Sequence, residues 1–108
     1  MYKKEIVFYE TESGKKPFYD WFKSLDKKTK ERILVRLNRL QEGNSGDFKY
    51  LDEDIYELKL RFGSGYRIYY GNCEDIIVLI LCGGDKSSQL KDFQKAKTYF
   101  KDFKERIK

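Results

Sequence analysis

From Tyr56 to Phe62 apolar and charged residues alternate without a break: Tyr56, Leu58, Leu60 and Phe62 form one row, and Glu57, Lys59 and Arg61 lie between them. A period of two sends the rows to opposite sides of an extended backbone, so the pattern predicts a half-buried strand with one wet face. Gly63-Ser64-Gly65 then reads as a three-residue hairpin loop, its glycines free to take positive φ, leading into a second strand from Tyr66 to Tyr70. Ile76 to Cys82 is apolar throughout, which predicts a strand covered on both faces. These three strands, closed by the glycine-rich turn Gly83-Gly84-Asp85-Lys86, form the centre of the chain.

Register decides what the polar row does. Pairing Phe62 with Tyr66 keeps the apolar rows of both strands together and sets Arg61 beside Arg67 and Lys59 beside Tyr69 on the other side. A one-residue slip would bury charge. Like charges facing each other across a ladder repel, so this face is expected to meet an anion or to let its arginines splay into water. The Gly83-Gly84 turn, followed by Lys86 and the free N–H groups of a helix start, is a second expected anion contact. Its spacing is not that of a P-loop.

The flanking stretches complete the element list. Residues 3 to 9 are rich in β-branched and aromatic side chains and predict a first strand. Pro17 opens a short helix with Phe18, Trp21, Phe22 and Leu25 at helical spacing. Asp26 is the expected N-cap of a second helix that ends at Gly43, with Ile33, Leu34, Leu37 and Leu40 as its buried stripe and a basic remainder that includes Arg32, Arg36 and Arg39. The two helices are expected to form an αα-hairpin over one face of the sheet. Residues 44 to 54 read as a polar loop. A last helix begins near Ser88, with Phe93, Ala96, Phe100, Phe103 and Ile107 on its packing stripe and Lys91, Lys95, Lys97, Lys101, Lys104, Arg106 and Lys108 on its other sides.

Composition narrows the function. The 108 residues, 40% hydrophobic and 17% aromatic, suit a single domain spanning 1–108 with one core. A formal charge of +5 favours anionic partners. The chain contains no histidine, which removes histidine acid–base chemistry and most zinc sites. Cys73 and Cys82 fit no metal spacing and are expected to be reduced thiols. No apolar run reaches membrane-spanning length, and no hydrophobic signal region opens the chain, so a cytoplasmic protein is expected.

The run YELKLRFGSGYRIYY, the apolar strand after it, CGGDKSSQ with a basic helix, and PFYDWFKSL near the start together resemble the RelE/ParE toxin superfamily, closest to its HigB-like, phage-derived branch. The resemblance spans nearly the whole chain. It implies an α+β fold: an N-terminal strand, an αα-hairpin, a mainly antiparallel three- to four-stranded sheet and a C-terminal helix. It also implies a type II toxin–antitoxin toxin that cleaves mRNA on the ribosome without metal or other cofactor and is silenced by a helix-turn-helix, HigA-like antitoxin. Carried onto matching positions, its catalytic residues are Lys59, Arg61, Arg67 and Lys86. Many relatives carry a catalytic tyrosine in the last helix where Phe93 stands here, which leaves Tyr66 or Tyr69 as replacements.

The chemistry of RNA cleavage fits those residue types. The 2′-OH attacks the neighbouring phosphate, and the protein orients the strand, moves protons and stabilises the phosphorane. Arg67 and Arg61 are expected to hold the phosphate, Lys86 to neutralise charge or protonate the leaving oxygen, and Lys59 or Glu57 to act as base. Glu57, Tyr66, Tyr69 and Lys91 are expected to contact substrate. Two alternatives remain open: a ParE-like inhibitor that binds DNA gyrase without catalysis, and an RNA-binding module without activity.

Overall fold

The apolar run expected to be covered on both faces is β5 (Ile77–Asp85), and it lies inside a five-stranded sheet. The computed structural model describes residues 3–107; Lys108 lies outside them. The other strands are β1 (Glu5–Phe8), β2 (Phe48–Asp52), β3 (Ile55–Leu60) and β4 (Tyr66–Cys73), in the order β1-β5-β4-β3-β2. β1 runs parallel to β5 and every other neighbour is antiparallel. Helices α1 (Pro17–Phe22) and α2 (Lys27–Gln41) cover one face, and α3 (Gln89–Arg106), entered through a 3₁₀ turn at Lys86–Ser88, covers the other. The α+β architecture is as expected, with more strands.

Each face has its own core. Phe18, Ile33, Leu37 and Leu40 pack on Leu58, Leu60, Ile68, Tyr70, Val78 and Ile80. On the opposite face Ala96 and Phe100 of α3 pack on Ile55, Tyr69, Leu79, Leu81 and Cys82. Leu34, expected in the stripe of α2, is 54% exposed, and Ile107, expected in the stripe of α3, is 63% exposed. Leu34 lies one step off the Ile33–Leu37–Leu40 row, and Ile107 follows the last residue of α3. The expected stop at Gly43 is present: its φ is 91°, and the N–H groups of Gly43 and Asn44 return to the carbonyls of Leu40 and Arg39. Asp26 precedes α2 in extended backbone, but its carboxylate accepts from the Thr29 hydroxyl rather than capping a backbone N–H.

Four expectations are corrected. The stretch 44–54 is not all loop, because Phe48 and Tyr50 form the edge strand β2, their rings set against Tyr56 at 6.0 and 5.2 Å. Two alternating aromatics bounded by polar residues are too short a pattern to stand out. The hairpin register is shifted by two residues: Leu60, not Phe62, faces Tyr66, and Lys59 faces Arg67. Parity survives, but the loop spans 61–65, since Phe62 turns back onto the Tyr66 ring at 5.4 Å while Gly63 and Gly65 supply positive φ. The polar row of β3 is not wet along its length, because α3 covers it and leaves Glu57 with no exposed surface.

Finally, Gly83 and Gly84 do not form a turn. They are paired strand residues opposite Ile68 and Arg67, and neither has positive φ. They are small because neighbours crowd them: a Cβ on Gly83 would lie 2.3 Å from the Trp21 ring, and one on Gly84 1.8 Å from Asp92 Oδ2. A β-bulge sets this arrangement. Tyr69 pairs with Cys82 and Tyr70 with Ile80, which leaves Leu81 without a partner. Leu81 and Cys82 consequently both enter the α3-side core, and downstream of them Gly83 faces α1 and Gly84 faces α3.

Candidate functional site

Strand register gathers the predicted cations. Lys59 on β3 pairs across to Arg67 on β4, Arg67 pairs across to Gly84 on β5, and β5 then runs out into Lys86. At this end of the sheet a cleft of about 180 Å³ is lined by Lys59, Leu60, Arg61, Gly65, Tyr66, Arg67 and Lys86. All four residues expected to be catalytic therefore meet at one opening. Among the described residues no carboxylate lies within ion-pair distance of the Lys59 or Lys86 ammonium. An oxyanion entering the cleft meets two ammonium groups, Lys59 and Lys86, that are not already neutralised.

Arg67 is held from beneath. Its Nε lies 3.3 Å from Glu57 Oε2, with 15% of the Arg67 side chain and 1% of the Glu57 side chain exposed. Gln89, the first residue of α3, donates from Nε2 to the same oxygen at 3.0 Å. The Arg67 Nε and Glu57 Oε1 have no hydrogen-bond partner. The two charges thus face each other as an ion pair fixed by packing, outside hydrogen-bond geometry. Arg67 Nη1 donates weakly to the Gly65 carbonyl at 3.4 Å, and the remaining guanidinium N–H groups are left for the cleft. A planar guanidinium tethered along one edge presents the other edge in a fixed direction, which suits a tetrahedral oxyanion.

The other candidates are placed differently. Arg61 lies beyond the end of β3 on the exposed loop, where it pairs with Asp47. That hydrogen bond and its charge hold the Asp47 carboxyl below the usual carboxylate value. Glu57, expected to contact substrate or act as base, has no surface to do so; its position under Arg67 is a correction. Tyr69 is corrected likewise: it is fully buried, its hydroxyl donates to the Gln89 carbonyl at 3.3 Å, and burial, with the Glu57 charge second, drives its phenol well above the ordinary value. Tyr66 does line the cleft, its ring braced by Trp21 and Phe62 at 6.3 and 5.4 Å.

Lys91 lies outside the cleft, beside a separate depression shared with Trp21, Asp85 and Lys95. Phe93 packs half-buried against the α3-side core with the Lys97 ammonium 4.8 Å over its ring, and does not line the cleft. The helix start expected to hold an anion is occupied by its own carboxylates. Asp85 accepts from the Ser87 N–H and hydroxyl, and Asp92 accepts from the Ser88 hydroxyl. Among the described residues no three Cys, Asp or Glu side chains converge as a metal would require.

The family model for phage-derived protein Gp49-like matches residues 20–105. The chain belongs to the Gp49-like family. The matched span of this Gp49-like chain contains the whole cleft, all of α2 and all but the last residue of α3. An uncharacterized protein of Haemophilus influenzae is 44% identical over 81 residues, covering 74% of this chain and 82% of its own length. The free form of a double arginine-to-alanine mutant of the Escherichia coli toxin RelE superposes with a TM-score of 0.66 over 90% of this chain and 97% of the other, at 20% identity. At that identity the likeness establishes a shared RelE fold.

Three residues of this Gp49-like chain that shape the site escape pattern reading. Gln89 and Asp47 act through single contacts, to Glu57 and Arg61, which no periodicity marks. Asp92 carried a signal. It lies on the row of Ala96 and Phe100, and a carboxylate on a packing row is one that something must satisfy.

Proposed function

We propose that this Gp49-like chain is the toxin of a type II toxin–antitoxin system and cuts translated mRNA by driving the 2′-OH onto the adjacent phosphate. The observation that carries the reading is the convergence of Lys59, Arg61, Arg67 and Lys86 on one cleft, with Arg67 anchored by a buried carboxylate. The solved structure of like fold is that of a toxin, and the Gp49-like family match supports the same class.

In this reading Arg67 grips the non-bridging oxygens and stabilises the charge that grows on the phosphorane, from a site where half-burial weakens competition from water. Arg61, leaving Asp47, adds a second cation. With Glu57 and Tyr69 sealed off, the proton carriers at the cleft are Lys59, Lys86 and Tyr66. Lys59 on the neighbouring strand and Lys86 just past the end of β5 flank Arg67, which suits the two transfers of the reaction: removal of the 2′-OH proton and delivery of one to the 5′-oxygen. The partners of this activity are the ribosome with its message and a HigA-like antitoxin, and the setting is the cytoplasm.

Primer extension on cellular mRNA after brief induction tests the proposal. Internal cuts confined to translated messages are expected, and they should vanish in Arg67→Ala and Lys86→Ala. Growth arrest with DNA damage and intact messages would instead assign a gyrase inhibitor.

A further inference from the structure

A second concavity, of about 510 Å³, lies between α2 and the loop after β3. Its rim holds five cations, Lys28, Arg32, Arg36 and Arg39 from α2 and Arg61 from the loop, against the single acid Glu31. Leu60 and Arg61 line both this groove and the cleft, so the two are one continuous surface. Arg36 is a pillar, donating to the carbonyls of Lys59, Ser45 and Asp47 and so tying α2 to the sheet. Lys28, Arg32 and Arg39 are free to bind: among the described residues they have no carboxylate partner. The Arg32 guanidinium lies 4.5 Å over the Phe62 ring, and Phe62 with Val35 gives the groove an apolar floor.

A basic face on a helix is commonly just solvated. This one differs in three respects: its cations are unneutralised, they border an aromatic and apolar floor, and the groove opens into a cleft built from cations. An apolar floor with a cationic rim is the arrangement that holds single-stranded nucleic acid, bases on the floor and phosphates at the edge. We infer that the groove along α2 carries the RNA strand that flanks the phosphate held in the cleft, with phosphates against Lys28, Arg32 and Arg39 and a base taking the place of the Arg32 guanidinium on Phe62 as Arg32 turns to its phosphate. Arg61 stands at the junction and exchanges Asp47 for a phosphate when the strand enters. The inference rests on the nuclease reading for the cleft but uses different residues.

The test is the salt dependence of binding to a short fluorescent 2′-O-methyl RNA, which lacks the attacking hydroxyl. Each lost phosphate contact should reduce the slope of log affinity against log salt by about 0.7. Lys28→Gln, Arg32→Gln and Arg39→Gln together should therefore remove about 2 from the slope. These positions are exposed, so the fold is retained, and each single change should give about a third of the effect. The matched control is Lys95→Gln, Lys97→Gln and Lys101→Gln on α3, which should leave the slope unchanged. An equal loss in the control overturns the inference in favour of a general field. An unchanged slope in the α2 variant, with lost affinity for poly-glutamate, overturns it in favour of an acidic protein partner. Groove-dependent binding by a wild type that never cuts messages would sink the nuclease reading and leave the groove standing.

Discussion

Replacing Glu57 by glutamine removes one charge and almost no volume, so it isolates what the buried carboxylate does for Arg67. At 3.3 Å the pair attracts by about 5 kcal/mol at an effective dielectric of 20. Much of that is offset by the cost of taking the two charges out of water. Removing one partner nevertheless leaves the other stranded, and breaking a buried pair typically costs about 3–5 kcal/mol. Arg67 keeps an exit to the cleft, so the lower figure applies, a fall in melting temperature on the order of 10 °C. The effect on chemistry is separate. Glu57→Gln adds a net positive charge beneath the cleft, so ground-state RNA binding does not weaken, whereas Arg67 loses the tether that fixes its direction. We expect kcat to fall about a hundredfold with KM no higher, the signature of an interaction needed in the transition state. Steady-state and single-turnover cleavage of message on programmed ribosomes, with thermal denaturation of the same samples, measures both. Wild-type kcat in a folded Glu57→Gln protein would refute the anchoring argument, and a raised KM at constant kcat would recast Glu57 as support for binding alone.

Two further outcomes follow from packing and titration. Gly84→Ala should destabilise by about 3 kcal/mol or more, since its Cβ would meet Asp92 Oδ2 at 1.8 Å and Ser88 Oγ at 2.9 Å; a chemical denaturation midpoint equal to wild type would show that α3 can move aside. Burial raises the phenols of Tyr9 and Tyr70 from 10.0 to about 12. A raised folded-state value favours the protonated form, so the stability these groups contribute is complete below pH 10.0 and is lost as pH rises towards about 12. Alkaline unfolding followed by circular dichroism and tyrosinate absorbance should fall in that interval, and a native fold whose tyrosines all ionise near pH 10.0 would contradict the buried placement.

What the sequence made legible is what periodicity encodes. The alternation from Tyr56 to Leu60 and the unbroken run from Ile77 to Cys82 placed the central strands, and the parity of the hairpin brought Lys59 and Arg67 to one side. Parity could not say how far another element reaches across that side. Glu57 and Tyr69 share a face with Lys59 and Arg67, yet α3 buries the first two and spares the second two, and the angle at which a helix crosses a sheet is set by side chains distant in sequence. Gly83 and Gly84 were misread for a related reason. A glycine pair beside a helix start looks like a turn, and only the positions of Trp21 and Asp92 reveal two strand residues kept small by neighbours. Arg61 was placed correctly at the cleft through an incorrect register, because a shift of two residues preserves the side on which a residue lies.

Leu81 governs how this chain can change in length. It is surplus to the β4–β5 ladder, so a deletion there would restore regular pairing and leave Gly83 under Trp21 and Gly84 under Asp92, forfeiting only a leucine from the core. The glycine pair after the bulge has no such slack: losing Gly83 or Gly84 would set Cys82 against Trp21 or Asp85 against Asp92. Drift in gene length is thus tolerable at the bulge of β5 and disarming at the glycine pair that follows it.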